Sequence, residues 1–202
     1  MIGAVLGVSG GLAPGPMTVL VLVQTLRFGF GEGLKVALTP VLTDGPLLIG
    51  SALLVGALSG LDTALAVISA VGAVFLLLLA RESWKAELPD PDVSDEADHG
   101  SIRKALLTNL FNPHPYVFWV AVGGPLVHEA AMSSSPVWSV GGFLTGFFGG
   151  LCGSKVLLAW ALARVRHRVS PRAYTWTMRV LSLVLVVFAV GFASQALGRL
   201  GT

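Results

Sequence analysis

Three ionisable residues lie deep within apolar sequence: Asp44, His114 and Lys155. Such groups are costly in a bilayer, so each is a functional candidate by default. Asp44 is a candidate proton acceptor or a contact for a substrate amine. Lys155 would hold Asp44 ionised or bind a substrate carboxylate. An imidazole titrates near neutrality, which suits His114 to proton handling; hydrogen bonding to a freed backbone carbonyl is its plainer role. Asp44 stands nine positions after Lys35, and Lys155 stands nine before Arg164. At about 1.5 Å per residue, both lie roughly 13 Å from the same surface. The hydrocarbon core is about 30 Å thick, so they share a depth just short of the midplane and are placed to pair. A buried ion pair locking two helices is the structural alternative to a transport role.

The second class of candidates is backbone chemistry. Pro14-Gly15-Pro16 falls within twenty-six residues that carry no charge, and Asn112-Pro113-His114-Pro115 interrupts a later apolar run. Each proline removes an N–H and strands a carbonyl one turn earlier. At membrane depth, broken helix is tolerated only where protein or a water-filled cavity covers it. A helix that stops and restarts presents partial positive and partial negative charge to such a cavity. A zwitterion needs both signs. Pro14, Gly15, Pro16, Asp44, Asn112, Pro113, His114 and Lys155 are therefore the predicted substrate and proton site. Thr18, Thr39, Thr43 and Ser154 are secondary candidates, because such hydroxyls often only bond their own helix.

The elements that must position these residues follow from composition. The chain has 202 residues, 54% hydrophobic and 12% charged, with mean hydropathy +0.80. Globular domains carry about 25% charged residues, so the sequence predicts an all-α integral membrane protein. Six spans are expected, at 2–26, 36–58, 63–80, 105–127, 137–163 and 177–198. Eleven of the thirteen Lys/Arg fall on one side, ten in the first, third and fifth connections and Arg179 just after the fifth; Lys155 lies deep within a span and only Arg199 falls on the other side. The positive-inside rule then puts both termini outside and the basic loops in the cytoplasm of a multi-pass protein of the cytoplasmic membrane. Residues 1–80 form a first three-helix repeat, 81–104 a flexible acidic cytoplasmic loop, and 105–202 a second three-helix repeat. An odd number of spans per half inverts one repeat against the other. Two proline-broken segments at corresponding places then mark helices 1 and 4 as interrupted walls of one site.

Gly11-Leu-Ala-Pro14-Gly15-Pro16 resembles the first-span signature of the lysine exporter (LysE) family of amino-acid translocators. Asn109-Leu-Phe-Asn112-Pro113 is similar to that family's Asn-Pro motif at the start of span four, and Asp44 stands where the family has an Asp in span two. The resemblance runs the whole chain in length, span count and motif order. It implies proton-driven efflux of amino acids or similar small metabolites from the cytoplasm. The chain departs from the family at Thr39, Pro40 and Thr43, where span two usually carries Gly-x-x-x-Gly-Asp, and at His114 and Pro115 after Asn-Pro. These departures fall at the predicted site and bear on the cargo.

The rival reading is a passive channel or a metal-ion exporter of related architecture. Metal export calls for clustered His, Asp or Cys ligands, and the spans do not carry such a cluster. No HExxH, GxSxG or paired cysteine points to an enzyme. Neither a cofactor nor a bound metal is expected, and the expected partners are a small-molecule substrate and the lipid bilayer, not nucleic acid. Gly142, Gly146, Gly150 and Ser154 make a small-residue stripe, either an internal seam or the face of a homodimer. Trp84, Trp138, Trp160 and Trp176 lie near span ends and suit interfacial anchoring. Trp119 lies deeper and has no role assigned by its position.

Overall fold

A computed structural model describes residues 1–54, 61–85 and 100–200. Those residues are helical throughout, with no strand among them. The chain runs through α1 (Ile2–Leu12), α2 (Pro16–Phe28), α3 (Phe30–Leu54), α4 (Leu61–Trp84), α5 (Ser101–Leu110), α6 (Pro113–Phe118), a π-helical turn (Trp119–Gly123), α7 (Gly124–Ala131), α8 (Pro136–Val165) and α9 (Pro171–Leu200). A short 3₁₀ turn, Arg166–Arg168, links the last two. Most of the loop 81–104, and the end of the second expected span, lie outside the described residues.

Among the described residues, Leu65–Trp84, Pro136–Val165 and Pro171–Arg199 are long and apolar enough to cross a bilayer. The bent pair α1 and α2 makes a fourth crossing if it is one span. The expected fourth span does not form one long helix. It starts earlier than predicted, at Ser101, and divides into α5, α6, the π turn and α7. The protein is thus a multi-pass helical membrane protein. Apolar side chains left exposed along α4 and α9, such as Val74, Leu78, Val187 and Val190, suit contact with lipid tails.

The first break has the conformation its sequence dictates. Ala13 is extended (φ −56°, ψ 133°), as a residue before proline must be. Pro16 opens α2 at its first position, where a missing N–H does no harm. The two segments meet at 62°. At the second break the Asn112 side chain caps α6 by accepting from the His114 N–H (3.1 Å), with Pro113 at the first helical position.

Packing follows two long seams, α4 on α9 and α1 on α8. The second is a backbone-to-backbone contact. Gly3, Gly7 and Gly11 of α1 lie against Phe143, Phe147 and Leu151 of α8. From the other side, Gly146 and Gly150 lie against Ala4 and Val8. The predicted stripe on α8 is therefore an internal seam at Gly146, Gly150 and Ser154, whereas Gly142 faces open space. The matching stripe on α1 was missing from the sequence reading.

Several basic residues pair with a carboxylate or an aromatic ring near helix ends. Glu82 at the end of α4 receives Arg27 of α2 (2.8 Å) and Lys104 of α5 (2.6 Å). The guanidinium of Arg179 lies 5.4 Å from the Trp84 ring and 5.8 Å from Trp176, and that of Arg164 lies 3.9 Å from Trp160. Arg166 lies against Gly29 in the turn between α2 and α3. Trp84, Trp138, Trp160 and Trp176 are all exposed, in keeping with their place near helix ends.

Candidate functional site

The two helix breaks face one cavity of about 270 Å³. Its wall includes Ala13 to Thr18 from the first break, Asn109, Asn112, His114 and Pro115 from the second, Asp44 from α3, and Lys155 from α8. Eight predicted residues thus meet around one space or flank it: Pro14, Gly15, Pro16, Thr18, Asp44, Asn112, His114 and Lys155. Pro113 does not line it; it is buried beneath the cap and borders a second recess with Gln195 and Arg199. His114 and Phe118 line both spaces and so stand between them.

The secondary hydroxyl candidates divide. Thr18 lines the cavity, donates to the Ala13 carbonyl (3.0 Å) and accepts from Lys155 Nζ (2.8 Å). Thr39 and Ser154 do not line it. Each bonds its own helix, Thr39 to Lys35 O (2.9 Å) and Ser154 to Gly150 O (2.8 Å), as polar side chains in apolar helices commonly do. Thr43 stands behind the site, accepting from Asn109 Nδ2, with its one proton placed between Thr39 O and Asp44 Oδ1 (3.3 Å to each).

Asp44 is only 5% exposed, and its carboxylate is held by donors from three elements. Asn109 Nδ2 of α5 donates to Oδ1 (2.7 Å) and Trp119 Nε1 to Oδ2 (3.3 Å), beside the Thr43 hydroxyl. Lys155 is 4% exposed, so it does not snorkel toward the surface. Its ammonium donates to Gly11 O (3.1 Å) and to Thr18 Oγ1. Gly11 O lies in the last turn of α1, where carbonyls lack helical partners.

The Asp44–Lys155 ion pair, the structural alternative that their shared depth allowed, is not present. Ion pairs are found instead between Glu82 and both Arg27 and Lys104, and between Lys35 and Glu32. Equal depth along two helices does not fix the direction in which each side chain points. Here each buried charge is satisfied by neutral groups while facing the same cavity.

His114 is more exposed than either charge. Its Nδ1 lies 2.9 Å from Asn112 Oδ1, and its ring stacks at a tilt on Phe192 with centroids 5.7 Å apart. The carbonyl stranded at the second break, Leu110 O, is taken by the Tyr116 hydroxyl (2.8 Å) and not by His114.

Asn109 and Trp119 are the residues that sequence reasoning left out of the site. Asn109 lies on the buried face of α5, which also carries Ser101, Ala105 and Thr108; that polar face was the available signal. Trp119 is fully buried and opens the π-helical turn. A Cβ on Gly123 would collide with the Trp119 ring, so glycine there makes room for the indole. Such π turns occur often at functional sites. Trp119→Phe keeps the edge contacts with Phe118 and Phe147 (centroids 5.3 and 5.2 Å) and deletes the N–H aimed at Asp44. A hydrogen bond to a charged group contributes about 1.5–3 kcal/mol. Initial transport rates in proteoliposomes are expected to fall about tenfold. An unchanged rate would mean that the bond is idle.

Two broken helices around a cavity lined by a carboxylate and an ammonium are the arrangement of a class, the membrane translocators. The chain matches the LysE type translocator family over residues 8–196 and belongs to it. This is a family of transporters, not enzymes. Searches of curated proteins and of solved structures give no significant match.

Proposed function

We propose that the protein is a proton-coupled secondary exporter of amino acids or similar small zwitterions across the cytoplasmic membrane. The observation that carries this reading is the unpaired charge on each side of one cavity. An ionised carboxylate offers about four acceptor positions. Asp44 uses two of them on Asn109 and Trp119 and shares the Thr43 hydroxyl proton with Thr39 O. An ammonium has three donors, and Lys155 uses two, on Gly11 O and Thr18 Oγ1. Each group keeps at least one position, Asp44 for a substrate ammonium and Lys155 for a substrate carboxylate. The first turn of α2 lines the same space and adds partial positive charge on the carboxylate side.

Coupling follows from the open acceptor side of Asp44. The carboxylate holds either the substrate ammonium or a proton, and exchanging one for the other as the cavity changes sides links export to proton entry. Six spans in two inverted repeats, 1–80 and 105–202, with the acidic loop 81–104 in the cytoplasm and both termini outside, would supply that motion. The helix contacts support such a relation. A two-fold exchange of the repeats maps α1 on α8 to α5 on α3, and α2 on α3 to α7 on α8. It maps the contact of α4 with α9 onto itself.

The test uses Lys155→Met in proteoliposomes with an imposed pH gradient. Methionine keeps the length of the stem and removes the charge. Amino-acid export is expected to fall by about a hundredfold, as when one charge-stabilising donor is lost from a preorganised site. Thermal stability is expected to stay level or rise, because an isolated buried charge is costly. A structural ion pair would behave otherwise, since removing one partner destabilises by about 3–5 kcal/mol. Flux that persists in the parent without any gradient would instead support a passive channel.

A further inference from the structure

We infer that the amino acid carried has a single positive charge and a large, uncharged, apolar side chain. This rests on the proposed reading of the cavity as a zwitterion site. Asp44 is the one carboxylate among the residues that line the cavity, and its open acceptor side is used by the α-ammonium. A lysine or arginine side chain would bring a second cation with no carboxylate to meet it, which is costly in a buried site. Several of the lining polar groups already hold partners within the protein. Asn109 donates to Asp44, Asn112 accepts from the His114 N–H, and Thr18 bridges Ala13 O and Lys155.

His114 also lines the cavity, with its Nδ1 2.9 Å from Asn112 Oδ1. The large side chains of the remaining wall are apolar: Leu6, Met17, Phe118, Phe147, Leu151 and Phe188. Phe118 and Phe147 stack at 5.0 Å with their planes 11° apart, giving a flat aromatic surface. Phe147 and Leu151 also belong to the α8 side of the Gly7 seam, so this surface is fixed by backbone contact. The volume, about 270 Å³, falls just below the range of drug-sized sites, roughly 300–1,000 Å³. It suits one free amino acid. A glycine or alanine would leave the apolar wall uncovered and forgo the hydrophobic contribution of a leucine-sized group.

The experiment is export of radiolabelled leucine, phenylalanine, lysine, glutamate and glycine from proteoliposomes of the full chain under one pH gradient. Leucine and phenylalanine are expected to move at least tenfold faster than the other three. Lysine, glutamate or glycine moving as fast as leucine overturns the inference and leaves the zwitterion exporter standing. Movement of none of the five overturns both. A second arm uses Leu6→Glu, which adds a carboxylate to the wall. It is expected to raise lysine export relative to leucine by at least tenfold, and an unchanged ratio in folded protein counts against the inference. If that variant does not fold, the ranking on the unaltered protein decides.

Discussion

Asp44→Asn is expected to abolish gradient-driven export while leaving the protein folded. The substitution keeps shape and removes the charge. In the parent, the carboxylate accepts from Asn109, Thr43 and Trp119. Asparagine offers one acceptor oxygen in place of two and sets an NH₂ against a second donor. It can neither take up a proton nor attract an ammonium. Both halves of the proposed exchange are lost, so uptake of a proton no longer accompanies release of substrate. The rate in a pH gradient is expected to drop at least a hundredfold, to the level of empty liposomes. Retained export at the parent rate would remove Asp44 from the mechanism. Retained export that no longer responds to the gradient would make Asp44 the coupling group and not a substrate contact.

Gly7→Leu is expected to have the largest effect on stability. A Cβ at Gly7 would overlap the carbonyl oxygen of Phe147 and lie 2.9 Å from its carbon and 3.0 Å from the Leu151 nitrogen. All three obstacles are backbone, so no rotamer relieves them. α1 must move away from α8, and the hydrogen bond from Lys155 to Gly11 O must stretch with it. Overpacking of this kind typically costs about 1–3 kcal/mol. For a chain of this size, the midpoint of thermal unfolding in detergent is expected to fall by about 5–10 °C. Gly142→Leu is the control, since Gly142 faces open space, and a shift below about 2 °C is expected there. Equal shifts for the two variants would mean that the seam does not hold α1 in place. Export by surviving Gly7→Leu protein is also expected to be impaired, because α1 carries one wall of the cavity.

The two helix breaks were legible in the sequence because proline and an Asn-Pro cap act locally. Pro16 and Pro113 each open a helix at the first position whatever surrounds them. The family was legible for the same reason, since its signature consists of those breaks. What residue counting could not give was direction around each helix. It placed Asp44 and Lys155 at one depth, but not the turn of each side chain onto Thr43, Asn109 and Trp119, or onto Gly11 and Thr18. Trp119 was hidden by the π turn, which shifts the register of the helix after α6 and which only Gly123 hints at. The α1 stripe at Gly3, Gly7 and Gly11 has the same four-residue spacing as the stripe noticed on α8. Its meaning depends on the partner helix, which pattern alone does not name.

The most direct measurement is a structure of the protein with leucine bound. The predicted result is one ligand between the breaks at Pro14–Pro16 and Asn112–Pro115, with its ammonium on the Asp44 carboxylate, its carboxylate on Lys155 Nζ and its side chain against Phe118 and Phe147. A ligand bound elsewhere in the bundle, or one seated in this cavity without contact to either charge, would contradict it.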